Sequence, residues 1–178
     1  MNKNKKIYVL LVIAAAFLLV QSCQSFPKIE MWVLEEDVYQ YYIRMTELKG
    51  EDTRSDVVID FTYHQYRENP EKNDVVCNFS VLGKETLSPD LDSAYFIINN
   101  NPSDKILLQD LKLMFIKGSE DKVRFTSHIA DKDFKKLVSA EEYLFVTEFE
   151  RPQKTFEFKP GNRFLKQMEG AKTDIYGL

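Results

Sequence analysis

Polar and apolar positions alternate with a period of two through most of the chain. In "VYQYYIRM", Tyr39, Tyr41, Ile43 and Met45 fall on one side and Gln40, Tyr42 and Arg44 on the other. With its aromatic and β-branched content, this pattern predicts a strand with one buried face. "DVVIDFTYHQY" repeats it, setting Val57, Ile59, Phe61 and Tyr63 against Asp60, Thr62, His64 and Tyr66. Between the two, "KGEDTRSD" supplies Gly50 and polar turn formers, so a long hairpin is expected. Further strands are expected at residues 75–83, 94–98, 107–116, 122–129, 143–149 and 155–158. "KGSED" reads as a hairpin loop and "NNNPSD" as a turn cluster. Two segments switch to helical spacing. "DKDFKKLVSA" puts Phe134, Leu137 and Val138 on one stripe behind a cap at Asp131, and "GNRFLKQMEGA" gathers Phe164, Leu165 and Met168 and is expected to end near Gly170. Short strands at regular spacing predict a mainly β fold, an antiparallel β-sandwich with one or two short C-terminal helices. A curved antiparallel sheet covered by the helices, an α+β arrangement, is the alternative.

The start of the chain breaks this alternation. "MNKNKK" carries Lys3, Lys5 and Lys6 and no acid, and the apolar run of residues 7–20 follows, which is the layout of a secretory signal. The run is shorter than the about 20 residues that a membrane-spanning helix needs. It ends in Leu19-Val20-Gln21-Ser22-Cys23. This stretch resembles the lipobox of bacterial lipoproteins, in which an aliphatic residue three before the cysteine and a small residue just before it precede lipid attachment and cleavage. The resemblance covers residues 1–23. It implies that residues 1–22 are a signal peptide and that Cys23 carries a lipid anchor in the bacterial cell envelope. By resemblance to enterobacterial sorting, Gln24 after the cysteine favours the outer membrane, with the periplasmic or outward-facing side left open. One long acyl chain contributes on the order of 10 kcal/mol, at about 0.8 kcal/mol per buried methylene. Residues 24–28 then form a tether of at most roughly 18 Å. The single folded domain, residues 29–178, is therefore expected close to the membrane surface.

That reading settles the cysteines. With Cys23 acylated, the other cysteine, Cys77, lies on one strand face with Val75, Phe79 and Val81. A buried thiol is expected there, without a disulfide.

Charge narrows the partners. The chain holds 24 basic and 28 acidic residues, and residues 29–104 hold 6 basic and 16 acidic ones. A nucleic-acid binder needs a basic patch, and after the signal the longest basic run is Lys135-Lys136. No nucleic-acid partner is expected. Nucleophile-elbow, zinc-protease, P-loop and dinucleotide fingerprints are absent, and His64 and His128 fall on the polar sides of separate strands. The sequence therefore names no catalytic residue, cofactor or metal. Asp90 and Asp92 would contribute to a calcium site only if they converged with "NNNPSD" on six or more oxygens. What stands out is aromatic content. Trp32, Tyr39, Tyr41, Tyr42, Tyr63 and Tyr66 crowd the N-terminal third. Trp32, Tyr42 and Tyr66 are the candidate surface for an envelope protein or glycan partner, since both tyrosines are on polar strand faces and are expected to be exposed. The expected function is a tethered binding or interaction module. A structural accessory of an envelope complex would instead need an open strand edge, and a tethered hydrolase would need converging carboxylates.

Overall fold

The computed structural model describes residues 29–51, 55–83, 90–151 and 153–178. The signal, Cys23 and the tether lie outside the described residues. Ten strands alternate with two helices: β1 Glu30–Glu35, β2 Val38–Gly50, β3 Asp56–Tyr66, β4 Asp74–Leu82, β5 Leu91–Ile98, β6 Asn101–Leu107, β7 Gln109–Lys117, β8 Lys122–Ala130, α1 Asp131–Ser139, β9 Tyr143–Phe149, β10 Lys154–Pro160 and α2 Asn162–Tyr176. No helix among the described residues is long and apolar enough to cross a membrane.

All the strands belong to one antiparallel sheet in the order β6-β5-β9-β10-β2-β3-β4-β8-β7, with β1 added to β2. β6 and β7 stand at opposite ends of that order, yet only Leu108 separates them in the chain. Consecutive Cα atoms are about 3.8 Å apart, so the sheet must curl until its two edges meet at Leu108. There the chain changes partner: the Leu108 N–H donates to the Ala94 carbonyl of β5 at 2.9 Å, and Gln109 already pairs with His128 of β8. The mainly antiparallel β fold read from the alternation is present, and it takes the form of one curled sheet whose end strands β6 and β7 come together at Leu108 without pairing among the described residues.

The concave face holds the core. Val57, Ile59, Phe61 and Tyr63 of β3 pair with Val81, Phe79, Cys77 and Val75 of β4, and all are buried. The helices cover this face with aromatic side chains. Phe134 of α1 and Phe164 of α2 stand 5.5 and 6.4 Å from the Phe61 ring, and Phe96 stands 4.8 Å from Phe145. Cys77 is fully buried and free, as expected, and burial pushes its thiol pKa up. Ser127 Oγ donates to the Cys77 carbonyl at 3.0 Å. Native protein is expected to resist a thiol reagent and to react on denaturation. Cys77→Ser should cost about 1 to 3 kcal/mol by placing a hydroxyl in an apolar site. Rapid labelling of the folded protein would reverse this placement.

Five features depart from the sequence expectation. In β2 the alternation is interrupted between Ile43 and Thr46, where Arg44 and Met45 together oppose Asp60. This bulge reverses the phase, so Met45 is exposed while Thr46 and Leu48 turn inward. β1 was not anticipated, because four consecutive apolar residues carry no alternation. Within "NNNPSD" only Asn99 and Asn100 turn, both at φ 52°, and β6 begins at Asn101. Asn tolerates this left-handed conformation better than most residues. Finally, Asp131 sits in the first turn of α1 rather than at its cap, which is Ala130, and its carboxylate accepts from the Tyr176 hydroxyl at 2.8 Å. α2 runs on past Gly170 because Ala171 and Ile175 are buried and Tyr176 packs on Tyr63, with ring centroids 5.8 Å apart. It ends at Gly177, φ 65°.

Candidate functional site

The register places the candidate residues on the convex face. Pairing runs Trp32↔Gln40, Gln40↔His64 and His64↔Asp74 across β1, β2, β3 and β4. Residues directly opposite share a face, with Cβ atoms about 5 Å apart. Tyr42 belongs to the next row, Tyr42↔Thr62↔Val76↔His128↔Gln109, which continues through β8 to β7. Tyr66 sits opposite Val38, one row to the other side. Trp32, Tyr42 and Tyr66 therefore share one side of the sheet within three neighbouring rows. Their exposure differs from expectation: Trp32 is 59% exposed, whereas Tyr42 and Tyr66 are half-buried. Burial raises the Tyr42 phenol pKa above its ordinary value, and the nearby Asp60 carboxylate adds to the effect.

The sequence reading placed the two histidines on separate strands with no common partner. The structure brings both to Asp74. His64 Nδ1 lies 3.3 Å from Asp74 Oδ1 and His128 Nδ1 lies 3.7 Å from Asp74 Oδ2, while His64 Nε2 is 3.3 Å from Gln40 Oε1. A polar ladder thus crosses the face at the Asp74 end of β4. The signal was in the strand pairing: Asp74 opposes His64 directly, and His128 is diagonal to it. Beside this ladder Asp60, 3% exposed, accepts from Arg124 Nη2 at 2.9 Å and from Asn78 Nδ2 at 3.1 Å, and Arg124 Nη1 donates to Ser80 Oγ at 3.2 Å. These bonds satisfy a charge that would be costly to bury alone. They lock β3, β4 and β8 into a rigid wall.

Apolar strands border the wall on both sides. β1 exposes Met31, Trp32, Val33 and Leu34, and β7 exposes Leu113, Met114, Phe115 and Ile116 at 41–53%. Among the described strands β1 pairs only with β2 and β7 only with β8, so each keeps one open edge. Both carry bulges, at Val33/Glu35 in β1 and at Gln109/Lys112 and Leu113/Phe115 in β7. Asp110 adopts φ 52° at the first β7 bulge. Bulges and end charges such as Lys112 and Lys117 are devices that keep open edges from stacking indiscriminately.

The carboxylates do not assemble into a cation site. Asp90 and Asp92 lie at the start of β5, and the "NNNPSD" residues lie past its other end, about 25 Å away at about 3.3 Å per residue. Among the described residues no group of three or more His, Cys, Asp or Glu is placed to hold a metal ion. A cavity of about 560 Å³ is lined by Asp92, Glu148 and Glu150. The Glu148 carboxylate in it accepts from Ser93 Oγ at 2.6 Å and the Tyr95 hydroxyl at 2.9 Å, bonds that hold it below the usual carboxylate range. Burial, with help from that same carboxylate, pushes Tyr95 up to about 12.

Comparison with protein-family models, curated proteins and solved structures finds no match to this chain.

Proposed function

We propose that this protein is a lipid-anchored module of the bacterial envelope that holds a protein partner near the membrane. The observation that carries this reading is β7: Leu113, Met114, Phe115 and Ile116 are consecutive, large, apolar and exposed on a strand with one open edge. Exposed apolar clusters of this kind mark contact sites. The supporting surface is the rigid convex wall beside it, where the Asp60–Arg124 pair and the Asp74 histidine ladder provide a fixed polar border. An aromatic at the centre of an interface, ringed by polar groups, is the usual arrangement of a binding hot spot. Phe115 fits that place, since it opposes Arg124 and lies 5.9 Å from Lys122 Nζ. The open edge also favours a second reading, an assembly accessory that contributes β7 to a larger complex. Both readings take Cys23 as the lipidated residue, outer-membrane placement being favoured by Gln24.

Capture from envelope extract with the acylated protein tests the proposal. Replacing Met114 and Phe115 with serine should leave stability within about 0.5 kcal/mol, as exposed substitutions do. It should weaken capture of the bound protein by about 2 kcal/mol or more, roughly thirtyfold. Tyr42→Ala with Tyr66→Ala should weaken it less, because both rings are half-buried. Equal capture by the β7 variant would remove this strand from the binding surface. Specific hydrolysis of a cell-wall fragment would replace the proposal with an enzymatic one.

A further inference from the structure

We infer that β1 is a membrane-contact strand, seated in the interfacial layer of the bilayer to which Cys23 is anchored. The inference rests on the lipid-anchor reading and adds an orientation to it. Its first ground is the exposure of β1 on both faces. Trp32 shares the convex side with Gln40, and Met31 and Val33 pair with Tyr41 and Tyr39 on the other side, yet Met31, Trp32 and Val33 are 55–60% exposed. β1 therefore projects from β2 as a blade with apolar side chains on either side. A fluid layer can close around both sides, and β1, unlike the similarly exposed β7, adjoins the anchored end of the chain.

The second ground is reach. Ile29, the first described residue, is buried in the core cluster, and five residues separate it from Cys23, six Cα steps in all. At about 3.3–3.6 Å per residue the anchor lies within roughly 21 Å of Ile29, and β1 begins at the next residue. An anchored domain therefore carries β1 at the membrane end of the chain. Depth follows from the backbone. The open edge of β1 presents N–H and C=O groups that need partners, which headgroups and interfacial water supply and the hydrocarbon core does not. Trp in particular favours this layer, where its ring is buried and its N–H is wet. The charge selects the lipid. Glu35 ends β1 and Glu36 and Asp37 form the turn after it, while Glu30 at its start is neutralised by Arg44. An anionic surface repels that turn, so the blade fits a zwitterionic leaflet. Seated so, the protein holds β7 away from the bilayer, five strand spacings from β1 or about 24 Å along the sheet.

Trp32 is the only tryptophan in the chain, so its fluorescence reports this strand alone. The acylated full-length protein is incorporated into phosphatidylcholine vesicles, and acylation of Cys23 is verified by mass. Trp32 emission is expected to shift to the blue, to lose most of its intensity to lipids brominated near the headgroup, and to be shielded from aqueous iodide. Phosphatidylglycerol in the same vesicles should reduce the lipid quenching and restore iodide access. Val33→Ser with Leu34→Ser should do the same in phosphatidylcholine while the anchor stays in place. Acylated protein whose Trp32 remains fully open to iodide and untouched by brominated lipid would overturn the inference and leave the anchor intact. Absence of acyl chains on Cys23 would instead overturn the lipid-anchor reading.

Discussion

Phe61→Ala is expected to lower the unfolding free energy by about 4 kcal/mol, within the range for removing a buried phenyl ring. Phe61 is fully buried and makes ring contacts with Phe96 of β5, Phe134 of α1 and Phe164 of α2 at 6.3, 5.5 and 6.4 Å. It is therefore where opposite parts of the curled sheet and both helices meet. Truncation removes the transfer free energy of the ring and leaves a cavity bounded by side chains on four elements. Those elements are held by sheet pairing and by each other, so the cavity cannot readily collapse. Urea denaturation should show a lower midpoint with an unchanged slope. A loss under about 2 kcal/mol would mean that the helices move to fill the space.

The second large effect is expected in alkali. Burial pushes the Tyr143 phenol up to about 12 and drives Tyr63 and Tyr176 higher still. Hydrogen bonding with Asp131 adds to the rise at Tyr63 and Tyr176. In the unfolded chain each titrates near about 10. Above that pH the unfolded state loses protons that the folded state keeps, so it binds fewer protons and stability falls as pH rises. Below about pH 10 both states are protonated and the contribution is fully present. Each tyrosine contributes a slope of about 1.4 kcal/mol per pH unit, so the three together remove about 4 kcal/mol per unit. For a net stability of about 5 kcal/mol, the lower end of the usual range, cooperative unfolding is expected a little above about pH 11. Circular dichroism and phenolate absorbance recorded together provide the check. Ionisation of Tyr63, Tyr143 and Tyr176 at ordinary phenol pH with the sheet intact would refute it.

Where one strand face is buried and the other wet, the sequence displayed its structure directly. β8 alternates without interruption, β3 and β4 depart from the alternation only at buried Asp60 and Ser80, and the inward residues are those the pattern selects. The pattern fails where burial has another cause. Met45 follows the alternation of β2 but is displaced by the bulge opposite Asp60, and that bulge reflects a strand whose one edge serves β1 first and β10 later. β1 is exposed on nearly every residue, so no face asymmetry existed to mark it, whereas β7 was read as a strand despite its exposure. The end of α2 was hidden for the opposite reason, since Tyr176 is kept helical by Tyr63 and Asp131, residues far away in the chain. As for the candidate site, the aromatic members were visible as residue types; Tyr42 and Tyr66, expected to be exposed, are half-buried, while Trp32 is exposed. The convergence of His64 and His128 on Asp74 was not legible, because it needs the register of three strands. The same holds for the Asp60–Arg124 pair.

The position of β10 sets the order in which the molecule can be completed. β10 lies between β9 and β2, and its pairing Pro160↔Leu48 joins residues from opposite ends of the chain. The β2–β3–β4 hairpins need only short loops to form and can assemble early, but the seam that joins the sheet into one curl waits for residues 154–176. Until they arrive, the inner aromatic face lacks α2 and β2 lacks a neighbour at Leu48–Gly50. Non-local pairing of this kind makes folding slow and leaves the unfinished sheet open to aggregation. A chain emerging amino terminus first therefore stays unsealed until its last strand and helix have appeared, so any truncation before residue 154 leaves the aromatic face uncovered.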